Sequence, residues 1–124
     1  MTYHDVTGTM TKPSERLQGT VDVLILKTLA WKPMHGYAIA KFLADKSRGE
    51  LAVEGAALYQ GLHRLERNGW IRSRWGTSDT NRRVRVYALT PAGRDHLVAE
   101  ADGWNRYAEA VARVLALRER SSNA

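Results

Sequence analysis

The chain has 124 residues, 19 Lys and Arg against 13 Asp and Glu, a formal net charge of +6, and no cysteine. One domain with a modest core is expected, because a chain of this size buries only about two-thirds of its unfolded surface; the positive excess favours polyanionic partners. Disulfides, zinc–thiolate sites and cysteine nucleophiles are excluded, as a reducing, cytoplasmic setting would allow, and no apolar run reaches the roughly 18 residues of a membrane span.

MTYHDVTGTMTKPSER lacks the apolar core of a signal peptide and reads as a polar arm, residues 1–16. After Pro13, Val21, Leu24, Ile25 and Leu29 recur at helical spacing and Pro33 stops the pattern, giving a core helix without chemistry. In MHGYAIAKFLADKSRG, Tyr37, Ala40, Leu43 and Ala44 form a second helical set between Gly36 and Gly49, with His35 in a structural role at the helix start. In VEGAALYQGLHRLERNG, Leu58, Leu62 and Leu65 make one buried face, so Gln60, His63, Arg64 and Arg67 are expected to point outward. Asn68-Gly69 closes this third helix. Short helices with tight connections suggest a helix-turn-helix.

The period then changes from helical to alternating. WIRSRW, the turn-rich GTSDTN and RVRVYAL read as a β-hairpin, with Arg72, Arg74, Arg82, Arg83 and Arg85 near its tip and edges. Val84 and Val86 compete with Tyr87 and Leu89 for the buried face. Thr90-Pro91 opens the last helix, a hydroxyl cap followed by Pro at the first helical position. That helix is expected to reach about residue 117 and, at ~1.5 Å per residue, to be roughly 40 Å long. Leu97, Ala101, Trp104, Ala108, Val111 and Leu115 step by four and three, a heptad seam that asks for a partner helix. The competing reading packs this helix wholly within its own subunit. The expected architecture is therefore mainly α: a winged helix-turn-helix of three helices and a two-stranded wing (residues 17–89), a dimerisation helix (90–118) and a polar tail (119–124).

No nucleophile elbow, phosphate loop or HExxH occurs. His4, His35, His63 and His96 lie in different elements with no carboxylate at ligand spacing, so no enzyme, cofactor or metal is expected. Five arginines around a hairpin with only Asp79 against them favour DNA over a winged-helix module that binds protein alone, whose surface centre would be apolar. Single-stranded RNA is disfavoured for want of an exposed aromatic platform.

The stretches LILKTLAW, MHGYAIAKFL, LYQGLHRLERNGWI and RRVRVYALTPAGRDHL, in this order over residues 17–115, resemble the PadR-like transcriptional regulators. That resemblance implies a homodimeric bacterial repressor whose third helix enters the major groove of double-stranded DNA, whose hairpin lies along the backbone and whose last helix crosses its symmetry mate. Family members usually carry a hydroxyl residue before the Leu-Tyr pair and often a Pro after it; here Ala57 and Gln60 stand there. Ala57 cannot donate to a phosphate, while Gln60 can pair with an adenine edge. Gly61 costs about 1 kcal/mol in a helix interior and predicts a less rigid recognition helix. The expected DNA contacts are Gln60 and His63 to base edges, with Tyr59, Arg64, Arg74, Arg82 and Arg83 to phosphates. The seam residues are expected at the dimer interface. Trp104, flanked by Ala101 and Ala108, either fills that interface or forms the wall of a site for a planar aromatic effector, a ligand type the resemblance also implies.

Overall fold

The computed structural model describes residues 13–120, with side chains from residue 19 onward. Helix α1 (Pro13–Trp31) is followed by strand β1 (Met34–His35), α2 (Gly36–Lys46), α3 (Gly55–Arg67), β2 (Ile71–Thr77), β3 (Arg83–Leu89) and α4 (Pro91–Leu115). Helix α1 takes in residues 13–16, which sequence reading assigns to the arm. Residues 1–12 of that arm and 121–124 of the tail lie outside the described residues.

α1 is the centre of the packing. Its buried face, Val21, Ile25, Leu26, Thr28 and Leu29, meets α2, α3, α4 and β3. Thr28 is the one buried polar side chain among the described residues, and its hydroxyl donates to the Leu24 carbonyl one turn back at 2.8 Å, which satisfies it in an apolar setting. The α3 stripe Leu58, Leu62 and Leu65 is buried as its spacing requires. In α2 the phase differs from the expected one: Ile39 and Leu43 are buried with Gly36, whereas Tyr37 is turned out to solvent. Ala38, Ala40 and Phe42 pack against the core beside Ile39 and Leu43, and the aromatic ring at the start of the helix stays at the surface.

Two features of the wing exceed the sequence reading. The sheet has three strands, not two, because Met34 and His35 pair antiparallel with Tyr87 and Val86 to give the order β1-β3-β2. This pairing joins the start of α2 to the wing. His35 then caps α2, its Nδ1 accepting from the Ala38 N–H at 3.3 Å, which is the structural role its position suggests. The competition for the buried face resolves by register. Ile71 pairs with Leu89 and Ser73 with Tyr87, so Ile71 and Tyr87 point into the core, and the same face continues outward as Trp75, Arg85 and Arg83. Arg72, Arg74, Val84 and Val86 occupy the other face, half-buried at the valines.

The join between wing and last helix explains why GW and LTPAG occur together. The Thr90 hydroxyl donates to the Gly69 carbonyl at 2.7 Å and accepts from the Gly93 N–H at 3.0 Å, while the Thr90 N–H donates to the Trp70 carbonyl. A Cβ on Gly93 would lie 1.9 Å from that same carbonyl oxygen, so only glycine lets α4 start here. Trp70 then stacks on His96 with ring centroids 3.5 Å apart and planes within 10°.

Candidate nucleic-acid interface

α3 presents Tyr59, Gln60 and His63 to solvent beside the wing. Its first turn, Gly55-Ala56-Ala57, is small and exposed. Glu54 caps it without a side-chain hydrogen bond, so the leading N–H groups keep no side-chain partner there. Such a terminus carries a partial positive charge and suits a phosphate, offsetting the hydroxyl that Ala57 lacks. Tyr59 is half exposed, and the tip of its ring rests against Gly36, where a Cβ would come within 2.7 Å of the hydroxyl oxygen. The ring therefore ties the recognition helix to the start of α2.

Arg64 departs from the outward reading. Its guanidinium is turned back onto α1 and holds the Asp22 carboxylate through two contacts, Nη2 to Oδ1 at 2.7 Å and Nε to Oδ2 at 3.3 Å, with each side chain only 23% exposed. Arg67 remains exposed on the last turn. Gly61 also takes a different role from the expected one. It is buried at the crossing of α3 and α1, where a Cβ would stand 2.9 Å from Ile25 Cδ1 and 3.2 Å from Val21 Cγ1. The glycine tightens the recognition helix onto the core and so constrains it.

The wing turn is built by Ser78. Its N–H donates to the Arg82 carbonyl at 2.8 Å, its hydroxyl accepts from the Arg82 N–H at 3.2 Å, and Asn81 takes the left-handed conformation at φ 63°. Arg82 and Arg83 leave this turn exposed, with no carboxylate partner among the described residues. The structure separates the sequence-derived wing arginines: Arg83 shares a face with Trp75 and Arg85, while Arg74 lies on the other side of the sheet. Arg85 and Trp75 belong to the cluster and are absent from the contacts expected from sequence. Their alternation with Arg83 on β2 and β3 was the available signal. Arg83 Cζ stands 4.1 Å and Arg85 Cζ 5.2 Å from the Trp75 ring. Ser73 bridges the wing to the recognition helix, donating to Glu66 Oε2 at 2.6 Å while accepting from Arg85.

The heptad seam of α4 splits in two. Leu97 is buried in the subunit's own core and the half-buried Ala101 packs against that core, so this part of the seam already has cover within the subunit. Trp104 is held to α1, its Nε1 donating to Thr20 Oγ1 at 3.1 Å, with 42% of the residue exposed. Beyond it Val111, Val114, Leu115 and Leu117 are exposed, an apolar strip that no other described residue covers. His96 has a carboxylate one turn on, Glu100 at 3.8 Å, so the expectation that no carboxylate stands at ligand spacing from a histidine fails at this pair. No group of three or more potential metal ligands occurs among the described residues, and no described helix is long and apolar enough to cross a membrane.

Three helices with a basic wing and a long trailing helix define a winged helix-turn-helix regulator. Residues 25–99 match the PadR-like family of transcriptional regulators, and the chain belongs to that family. A transcriptional regulator from Clostridium thermocellum is 28% identical with a TM-score of 0.70, covering 80% of this chain and 96% of that one. A PadR family regulator from Eggerthella lenta DSM 2243 is 28% identical with a TM-score of 0.67, covering 94% and 97%. A third, from hypervirulent Clostridium difficile R20291, is 29% identical with a TM-score of 0.63, covering 77% and 97%. The chain is thus a transcriptional regulator of the DNA-binding type.

Proposed function

We propose that the protein is a dimeric repressor that binds an inverted-repeat operator in double-stranded DNA. The observation that carries this reading is the pair of exposed guanidiniums without a carboxylate partner among the described residues, Arg82 and Arg83, which line one groove with Tyr59 of α3. Gln60 and His63 approach base edges, with Gln60 suited to adenine. Tyr59 and the first turn of α3 take phosphates, and the guanidinium forks of Arg82 and Arg83 clasp the backbone. Arg74 contributes from the outer face of the wing. Arg64 supports the helix from behind. A module that binds only protein would show apolar anchors at this surface with few cations, whereas charged forks dominate the wing tip.

The exposed strip on α4 supports a twofold pairing of subunits through Ala108, Val111 and Leu115, the commonest closed symmetry. Half-sites then lie one helical turn apart, ~34–36 Å, or a multiple of it. Trp104 sits where the covered half of α4 meets the open half. Its exposed ring, fixed by the bond to Thr20, favours a second element of the reading: a planar aromatic effector that rests on this ring and acts through unequal affinity for the DNA-competent arrangement.

Selection of bound fragments from the source genome followed by sequencing should return an inverted repeat. In a gel-shift titration on that site, R82A/R83A should lose most of its affinity and flatten the salt slope by about two units. Unchanged binding by the double variant would refute the reading.

A further inference from the structure

One surface feature exceeds what backbone contact requires. A groove of about 770 Å³ runs between the wing and the starts of α2 and α3, a size in the range of small-molecule sites. Three exposed aromatic residues line it: Tyr37 from α2, Tyr59 from α3 and Trp75 from β2. Phosphates call for cations alone, and a groove lined by three aromatic rings that stay exposed calls for a further occupant. The cations here are arranged unusually as well. Arg83 Cζ lies over the Trp75 ring at 4.1 Å, and its guanidinium has no carboxylate partner among the described residues. Arg82 lies beside it in the groove, also without a carboxylate partner among the described residues. The other two cations of the lining are engaged: Lys41 pairs with Asp45 at 3.1 Å, and Arg85 faces Glu66 at 3.7 Å.

Two guanidiniums lining one groove without carboxylate partners match two linked phosphates better than one carboxylate, and the exposed rings of the same lining match a flat heteroaromatic base. We propose that this groove binds a nucleoside diphosphate, with the diphosphate on Arg82 and Arg83 and the base against Trp75 and Tyr59. Such a ligand occupies the surface assigned above to the DNA backbone, so it competes directly with operator. The inference rests on that assignment only for its regulatory consequence.

The test uses the full chain in isothermal titration with ADP, GDP, pyrophosphate and adenosine. One of the two nucleotides should bind at least tenfold more tightly than pyrophosphate or adenosine. W75A should reduce that nucleotide to the level of pyrophosphate. Should W75A unfold the wing, R82A/R83A, altered at exposed positions where the turn enters β3, should reduce the nucleotide to the level of adenosine. The nucleotide should also displace a fluorescent duplex. Pyrophosphate binding as well as both nucleotides, which marks a mere anion patch, overturns the proposal; so does the absence of nucleotide binding at millimolar concentration, or unaltered binding by a folded W75A. Duplex binding measured on the same protein separates the failures: duplex without nucleotide removes only the groove ligand, and loss of duplex removes the DNA assignment itself.

Discussion

Replacing Asp22 by Asn distinguishes a buttressing Arg64 from a phosphate-binding one. In the folded subunit the guanidinium is held at 2.7 and 3.3 Å with both partners 23% exposed. Exposed pairs contribute about 0.2–1 kcal/mol, and removing one partner of a buried pair costs about 3–5 kcal/mol. This half-buried, two-contact pair falls between, at about 1–2 kcal/mol. For a domain near 100 residues that lowers the melting temperature by roughly 5–10 °C. The same change frees one positive charge on the recognition helix. One added phosphate contact steepens the dependence of log affinity on log salt by about 0.9. A fourfold drop in salt should then raise the DNA affinity of D22N about 3–4-fold more than that of the wild type. Fluorescence anisotropy with a non-specific duplex across a salt series measures this slope, and R64A should leave it nearly unchanged. If R64A instead flattens the slope by about one unit while D22N alters nothing, Arg64 abandons Asp22 for a phosphate in the complex, and the buttress is refuted.

Further outcomes follow from the packing. G93A should cost about 3 kcal/mol or more in thermal or denaturant unfolding, because its Cβ meets backbone rather than a movable side chain. G61A should destabilise by about 1 kcal/mol despite alanine's better helix propensity, since overpacking against Ile25 outweighs that gain; a stabilised G61A would show that α3 does not press on α1. V111E/L115E should be a folded monomer by light scattering, as both side chains are exposed within the subunit; a persistent dimer would place the interface elsewhere. Burial first, then the charge of Glu66, raises the Tyr87 pKa above its usual 10.0, with Arg85 opposing. The folded state thus holds this proton more tightly than the unfolded one, a stabilisation complete below pH about 10 that fades as pH rises through the folded-state value. Stability measured in alkaline buffers should fall less steeply in Y87F.

The sequence exposes whatever is periodic and local. The α3 stripe Leu58, Leu62 and Leu65, the Thr90-Pro91 helix start and the alternation of β2 and β3 are each written within a few neighbouring residues, and all appear in the fold. What sequence reading misses depends on partners distant in the chain. Arg64 lies off the α3 stripe and reads as outward until Asp22, 42 positions away, captures it. Gly61 reads as a weak point until the approach of Ile25 and Val21 shows how closely α3 crosses α1 there. Strand β1 is only two residues long, below any useful period, and exists because β3 offers an edge. The α4 seam is a subtler case. A heptad pattern records which residues avoid water without recording what covers them: Leu97 and Ala101 are covered by their own subunit, and the same phase continues into the uncovered Val111 and Leu115.

That division of α4 gives α1 a particular position. The helix touches the last helix through Thr20, which accepts from Trp104, and touches the recognition helix through Asp22, which accepts from Arg64. The two contacts are two residues apart on one rigid element whose remaining face is locked into the core by Ile25 and Leu26, both fully buried. A rotation of α4, as subunit pairing would allow, therefore has a short mechanical route to α3 through polar contacts midway along α1, without repacking the apolar centre. Coupling of this kind requires two discrete arrangements that a ligand or partner favours unequally. The candidates are on one surface continuous with the apolar strip: the exposed ring of Trp104 and the unpaired half of α4. An effector lodged there would shift α1 at Thr20, and the first group on the DNA side to register that shift is the Asp22–Arg64 pair.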